Sequence, residues 1–323
     1  MKTKNFVLLS CFCLFLLSCV SETTITDKIQ LDVIPYNGTE MDVDKYISFE
    51  DTTILYVSDN VISSNMEDAC VDDSTIYILD KQNNIMAFDS KTGLMKCSIN
   101  NVGHGMGEYI RPKSICVSDG RLYVLDRSGR GILQYDENLR FIKKIKFDNY
   151  LILDFIKIDG GFVLYNIAPN KDVKTIVVMD ENGVVKNSYS FNSEEFPEKI
   201  LTDKLFVRTD RGIFFMDIIS NTLYELRDND VCPVVEIEEG NSNNNDYKLF
   251  CSFPLTNTIL TFYLSENKMM GNIYDKKTRK STSGRFKYHN SRALIPYIDK
   301  DGFLYRIKDG NNQYIIVKYK FDS

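Results

Sequence analysis

The chain has 323 residues, a formal charge of −6, 43 % hydrophobic and 12 % aromatic positions, seven prolines and no tryptophan. That much apolar material excludes wholesale disorder, and the acidic balance excludes the basic footprint of a nucleic-acid-binding protein. The length admits two ordinary domains or one large β architecture.

Lys2 and Lys4 precede an apolar run from Phe6 to Leu17, broken only by Ser10. The run is shorter than the roughly 20 apolar residues of a permanent bilayer span and reads as a signal peptide. It ends in Leu16-Leu17-Ser18-Cys19, which resembles the bacterial lipobox, where cleavage falls just before a cysteine that takes a diacylglycerol. An ordinary secretory peptide with a chance cysteine is the alternative. On the lipobox reading residues 1–18 are removed, Cys19 is the lipidation site, and the 305 residues left carry −8. Val20, not aspartate, follows the cysteine. By the same resemblance the protein is expected in the cell envelope, at the outer membrane, facing the periplasm or the surface. Acyl chains then hold it without a transmembrane helix. Residues 19–45 are expected to be tether and lead-in, the polar stretch from Ser21 to Lys28 showing no periodic apolar face.

Five cysteines follow, Cys70, Cys97, Cys116, Cys232 and Cys251, with no C-x-x-C spacing and so no metal or redox signature. Most sit in apolar alternation and are expected to be buried thiols acting as small hydrophobes. A Cys97–Cys116 disulfide is the alternative in an oxidising periplasm.

Strand-like runs recur from residue 66 onward. Ile76–Asp80, Leu122–Asp126, Phe162–Tyr165, Leu205–Val207, Ile259–Phe262 and Phe303–Tyr305 start 46, 40, 43, 54 and 44 residues apart. Each follows a turn signal such as Asp119-Gly120 or Asp159-Gly160-Gly161. A further strand follows each of the first five and ends in aspartate: Asp89, Asp136, Asp180, Asp217 and Asp275. Such an aspartate caps amides a residue or two ahead. Counting one strand before each turn and one after each aspartate gives four strands per unit and six units of about 45 residues. Four-stranded units repeated radially predict an all-β, six-bladed β-propeller over residues 46–323, antiparallel within each blade. The strand Ile54–Val57 is expected to complete the last blade and close the ring.

The chain resembles the six-bladed β-propeller lipoproteins of Gram-negative gut commensals, related in shape to NHL-repeat proteins. The lipobox, the early strand Ile54 to Asn60 and Val102-Gly-His-Gly-Met-Gly-Glu-Tyr109 carry the resemblance. That family usually reads G-x-G-P-G-E-Y in the last of these, so Met106 replaces a proline. The resemblance spans the mature chain and implies the fold; it brings little chemistry.

In a propeller the connections from outer strand to next inner strand share a face with the turns between second and third strands. That face is expected to hold the channel mouth and any ligand. It collects His104, Glu108, Tyr109 and Arg111 of the glycine-rich segment, with Arg127, Arg130, Arg211, His289 and Arg292. Guanidinium groups recognise carboxylates and aromatic faces stack on sugars or peptides, so a glycan, a peptide or an envelope protein is the expected partner. Against this, the glycines also suit a sharp structural crossing with Tyr109 packed below, and the arginines suit ordinary surface charge. No cofactor and no metal are expected, although both histidines with Glu108 would suit zinc. The favoured reading is a lipid-anchored binding module. The alternatives are a propeller lyase or hydrolase using His104, Glu108 or His289, and a scaffold subunit binding through blade edges.

Overall fold

Period-two alternation punctuated by Asp-Gly and Asn-Gly turns makes strands and little else. The computed structural model describes residues 27–31, 40–41, 47–148, 150–168, 174–191, 204–209, 211–217, 220–227, 230–239, 247–265, 268–286, 297–298, 303–310 and 313–321. Within them the lead-in contributes β1 (Asp27–Leu31), β2 (Glu40–Met41) and β3 (Ile47–Tyr56). The first sheet is β4 (Met66–Asp72), β5 (Thr75–Asp80), β6 (Ile85–Asp89) and β7 (Met95–Ile99). The second is β8 (Pro112–Ser118), β9 (Arg121–Asp126), β10 (Gly131–Tyr135) and β11 (Phe141–Lys146). The third is β12 (Ile152–Ile158), β13 (Gly161–Asn166), β14 (Ile176–Asp180) and β15 (Val185–Tyr189). The fourth is β16 (Phe206–Thr209), β17 (Gly212–Asp217), β18 (Thr222–Arg227) and β19 (Asp230–Glu239). The fifth is β20 (Tyr247–Pro254), β21 (Thr258–Ser265), β22 (Lys268–Asp275) and β23 (Lys280–Phe286). The last is β24 (Tyr297–Ile298), β25 (Phe303–Gly310) and β26 (Gln313–Phe321), with β3 paired antiparallel to β26.

First strands of successive sheets touch, β4 with β8, β8 with β12 and β12 with β16, so they lie innermost around a channel. This is an all-β propeller with four-stranded antiparallel blades. Its core is the set of seams between blades. Tyr77, Leu79 and Ile85 of the first blade meet Ile115, Leu122 and Leu133 of the second, and Tyr123 and Ile132 of the second meet Phe155, Phe162 and Val177 of the third. Leu55 of β3 and Tyr314 of β26 meet Ile76, Ile78 and Phe88 of the first blade. Each large apolar side chain buried there is worth about 1.5–3 kcal/mol.

The aspartates closing the third strands cap the next turn as expected. Asp89 accepts from the amides of Lys91 and Thr92 at 3.1 and 2.8 Å, and Asp136 from Asn138 and Arg140 at 2.9 and 2.8 Å. Asp180 accepts from Asn182 and Val184 at 2.9 and 3.0 Å, and Asp275 from Lys277 and Thr278 at 2.8 and 2.9 Å.

Two expectations need correction. The stretch to Lys28 is not all tether. Asp27–Leu31 adds in parallel to the open edge of β19, and Ile29 is buried among Val235 and Ile237. In the fourth blade, Leu205–Val207 and Ile213–Asp217 belong to the first and second strands, not the second and third. Thr202-Asp203 reads like a first hairpin turn, while β18 and β19, which lack the repeat's signature, complete the blade. The four described thiols, Cys70, Cys97, Cys116 and Cys232, are free, so the Cys97–Cys116 bridge is not formed.

Candidate functional site

The face carrying the inter-blade connections is built around side chains that end the second strands. Asp80 accepts from the amides of Ser64, Gln82 and Asn84 at 2.9, 2.9 and 2.8 Å and from the Asn84 side chain at 2.8 Å. Asp126, fully buried, accepts from the amides of Ile110, Arg111 and Gly129 at 3.1, 2.9 and 3.0 Å and from Lys144 at 3.2 Å. Asn166 repeats the device in the third blade, its Oδ1 accepting from Leu151 at 2.9 Å and Ala168 at 3.4 Å. Each ties an incoming connection to the turn after the second strand, because a buried carboxylate or amide needs such partners.

The sequence-derived site residues fall into this masonry. Glu108 folds back to accept the Gly105 amide at 2.7 Å, and a Cβ on Gly103 would stand 2.1 Å from its Oε2. Tyr109 has no exposed surface, so it cannot present its ring to a ligand. Its hydroxyl donates to the Asn83 carbonyl at 2.9 Å and accepts from the Asn101 amide at 3.0 Å. Burial pushes that hydroxyl up to about 12. Arg127 donates from Nε to the Ile152 carbonyl at 3.0 Å, bridging the second and third blades. His104, Arg111 and Arg130 are exposed on this face. Arg211 is not on it: the turn between β16 and β17 puts it at the other mouth, where it donates to the Leu255 carbonyl at 3.3 Å. Cys19, His289 and Arg292, and with them the two-histidine metal arrangement, lie outside the described residues. Among the described residues no cluster of three or more metal-ligating side chains occurs.

Midway along the channel a polar belt joins four inner strands. Asp68 of β4 accepts the Ile115 amide of β8 at 2.7 Å, and Ser114 donates to Asp154 of β12 at 2.8 Å. Asp154 accepts the amides of Leu205 and Phe206 at 2.7 and 3.0 Å. Lys204 spans back to Asp68 at 2.9 Å and to the Ile115 carbonyl at 3.0 Å. Burial pushes the Asp154 carboxyl up, with Lys204 and the Phe206 amide opposing. Burial would lower the Lys204 ammonium, but Asp68 and Asp154 outweigh it and hold the group well above the lysine range. Sequence reasoning missed this belt. Its signal was there: Asp68, Ser114 and Asp154 occupy the same place in three successive inner strands, each just after a bulge.

Above the belt lies a cavity of about 300 Å³. Its lining comes from the middle and ends of the inner strands and the turns that follow, together with Lys204 of the belt. Ile115, Phe155, Phe206 and Phe253 give it apolar walls, and Asp72, Asp119, Asp159 and Arg208 add charged groups to the lining. Arg208 is held by a hydrogen bond to the Lys157 carbonyl. Cys70 and Cys116 also line it, and burial pushes both thiols up, which leaves them protonated and poorly nucleophilic. The cavity therefore opens at the mouth opposite the one expected.

A β-propeller with a walled central cavity is the class these features define. The chain belongs to the family described as a domain of unknown function (DUF4934), whose model matches residues 37–322. A candidate exported protein of Bacteroides fragilis is similar in structure, with a TM-score of 0.72 and 15 % identity over 93 % of this chain and 99 % of that one. A DUF4221 family member from Bacteroides vulgatus gives 0.58 and 11 % identity over 87 % and 99 %. Streptogramin B lyase gives 0.50 and 11 % identity over 84 % and 98 %. At such identities the likeness shows the fold alone. No curated protein matches the chain.

Proposed function

We propose that the protein is a lipid-anchored binding module of the cell envelope, a closed ring of six blades that takes a small organic ligand at the channel mouth framed by Asp72, Asp119 and Asp159. Closure is supported by the six sheets, by the β3–β26 pairing and by the packing of the last sheet on the first. The envelope location is supported by the lipobox-like segment ending at Cys19 and by an exported protein among the structural neighbours. The observation that carries the binding reading is the cavity. Four apolar walls would cover the ligand's body, and the aspartates with Arg208 would meet its polar end.

A thermal-shift screen of a form starting at Val20 tests this, using monosaccharides, disaccharides, amino acids, dipeptides and amines as probes. A true ligand at a hundredfold excess over its Kd stabilises by about 2.7 kcal/mol. Ser118→Trp, which fills the mouth from a half-buried lining position, is expected to keep the parent melting temperature and lose the response. A response unchanged in Ser118→Trp would overturn the assignment.

A further inference from the structure

The chain is acidic, yet its second blade is not. Residues 100–147 carry nine Lys and Arg against five Asp and Glu, a net of +4, while the remainder carries −10. Little of this blade's acidic charge is exposed at its connection-face end. Asp119 and Asp136-Glu137 sit at turns on the opposite face, Asp126 is buried, and Glu108 is folded onto Gly105. At the connection-face end Arg111, Arg130 and Lys146 are exposed, with Asp148 the exposed acid that follows them in the chain.

Beside these cations the glycine-rich loop and the outer strand β11 enclose an open recess of about 620 Å³, lined by His104, Met106, Ile142, Lys143 and Lys146 among others. Met106, where the resembling family carries proline, is 91 % exposed. Val102 and Leu151 are exposed close by in the chain, and Ile142, toward the far end of β11, extends the exposed apolar surface along the outer edge of the blade. Exposed apolar side chains among lysines and arginines are the composition of a membrane-surface contact, in which cations meet headgroup phosphates and apolar tips enter the interface.

We propose that the connection-face end of the second blade docks on an anionic phospholipid surface. The patch would add to any acyl anchor and orient the ring, leaving the cavity mouth on the opposite face free to receive its ligand. The inference goes beyond the binding reading above and does not depend on the cavity having a ligand.

Co-sedimentation with vesicles tests it. Every described strand follows residue 26, so a form starting at Val20 keeps them all while removing the acyl chain. We expect binding to phosphatidylcholine vesicles containing about a third phosphatidylglycerol, absent with phosphatidylcholine alone and lost at high salt. Arg130→Asn with Lys146→Gln should weaken it roughly 25-fold, about fivefold per cation. Both side chains are exposed, and asparagine suits the left-handed backbone at Arg130, φ +46°. Met106→Ser should weaken binding by the same factor at every salt concentration at which the parent binds. Binding indifferent to phosphatidylglycerol, or equal in parent and double variant, overturns the proposal. So does retention of the protein by dextran sulfate with no vesicle binding, which would assign the patch to an anionic polysaccharide.

Discussion

The two mouths of this channel are built from the same residue types and put them to opposite uses. At the connection face Asp80, Asp126 and Asn166 turn inward and are consumed by backbone amides, so the face is tied together by its own polar groups. At the other mouth Asp72, Asp119 and Asp159 stand around a cavity with apolar walls. The difference follows from topology. The connection face must hold long crossings between blades, whose backbone groups need partners. The tight turns on the other face cap themselves through the third-strand aspartates, which leaves the inner-strand ends to face the channel.

Perturbing each side sharpens the contrast. Asp126→Ala should have the largest effect, at least about 4 kcal/mol of lost stability in denaturant melts, because it orphans three amides and Lys144 together. Lys204→Met should cost about 3 kcal/mol at neutral pH by leaving the belt's carboxylates without their cation. Burial already raises Asp154 above its unfolded value, and losing Lys204 raises it further. A raised carboxyl costs stability as pH rises through the folded value, so the deficit of Lys204→Met should shrink as pH falls toward about 4. Tyr109→Phe should cost about 1–2 kcal/mol through the lost hydrogen bonds of its hydroxyl, without altering any ligand response. Asp180→Asn should have the smallest effect. A Lys186 hydrogen bond and the amides of Val184 and Asn182 hold the Asp180 carboxyl down at about 2. Its contribution is present above the unfolded carboxylate range and lost as pH falls through the folded value, so parent and variant melting temperatures should converge in strong acid.

The repeat was legible because the first three blades write their second and third strands as apolar runs closed by Asp or Asn, a signal of local chemistry. The fourth blade escaped it: β16 is four residues long and β18 ends in Glu225-Leu226-Arg227, with no closing aspartate. One misread strand moved Arg211 to the wrong face. The candidate site was less legible. Sequence shows that Glu108 and Tyr109 are polar and near glycines, but not whether they face solvent or finish the backbone's hydrogen bonds. The belt of Asp68, Ser114, Asp154 and Lys204 joins residues up to 136 apart, and only the packing of the inner strands around the channel brings Lys204 to Asp68.

The most direct test is hydrogen–deuterium exchange of the Val20 form with and without the most stabilising compound of the thermal-shift panel. The binding account predicts new protection at 115–119, 155–159 and 206–208, the inner-strand ends, and none at 103–109. Protection confined to 103–109, with the inner-strand ends unchanged, would contradict it and return the ligand to the histidine-bearing face.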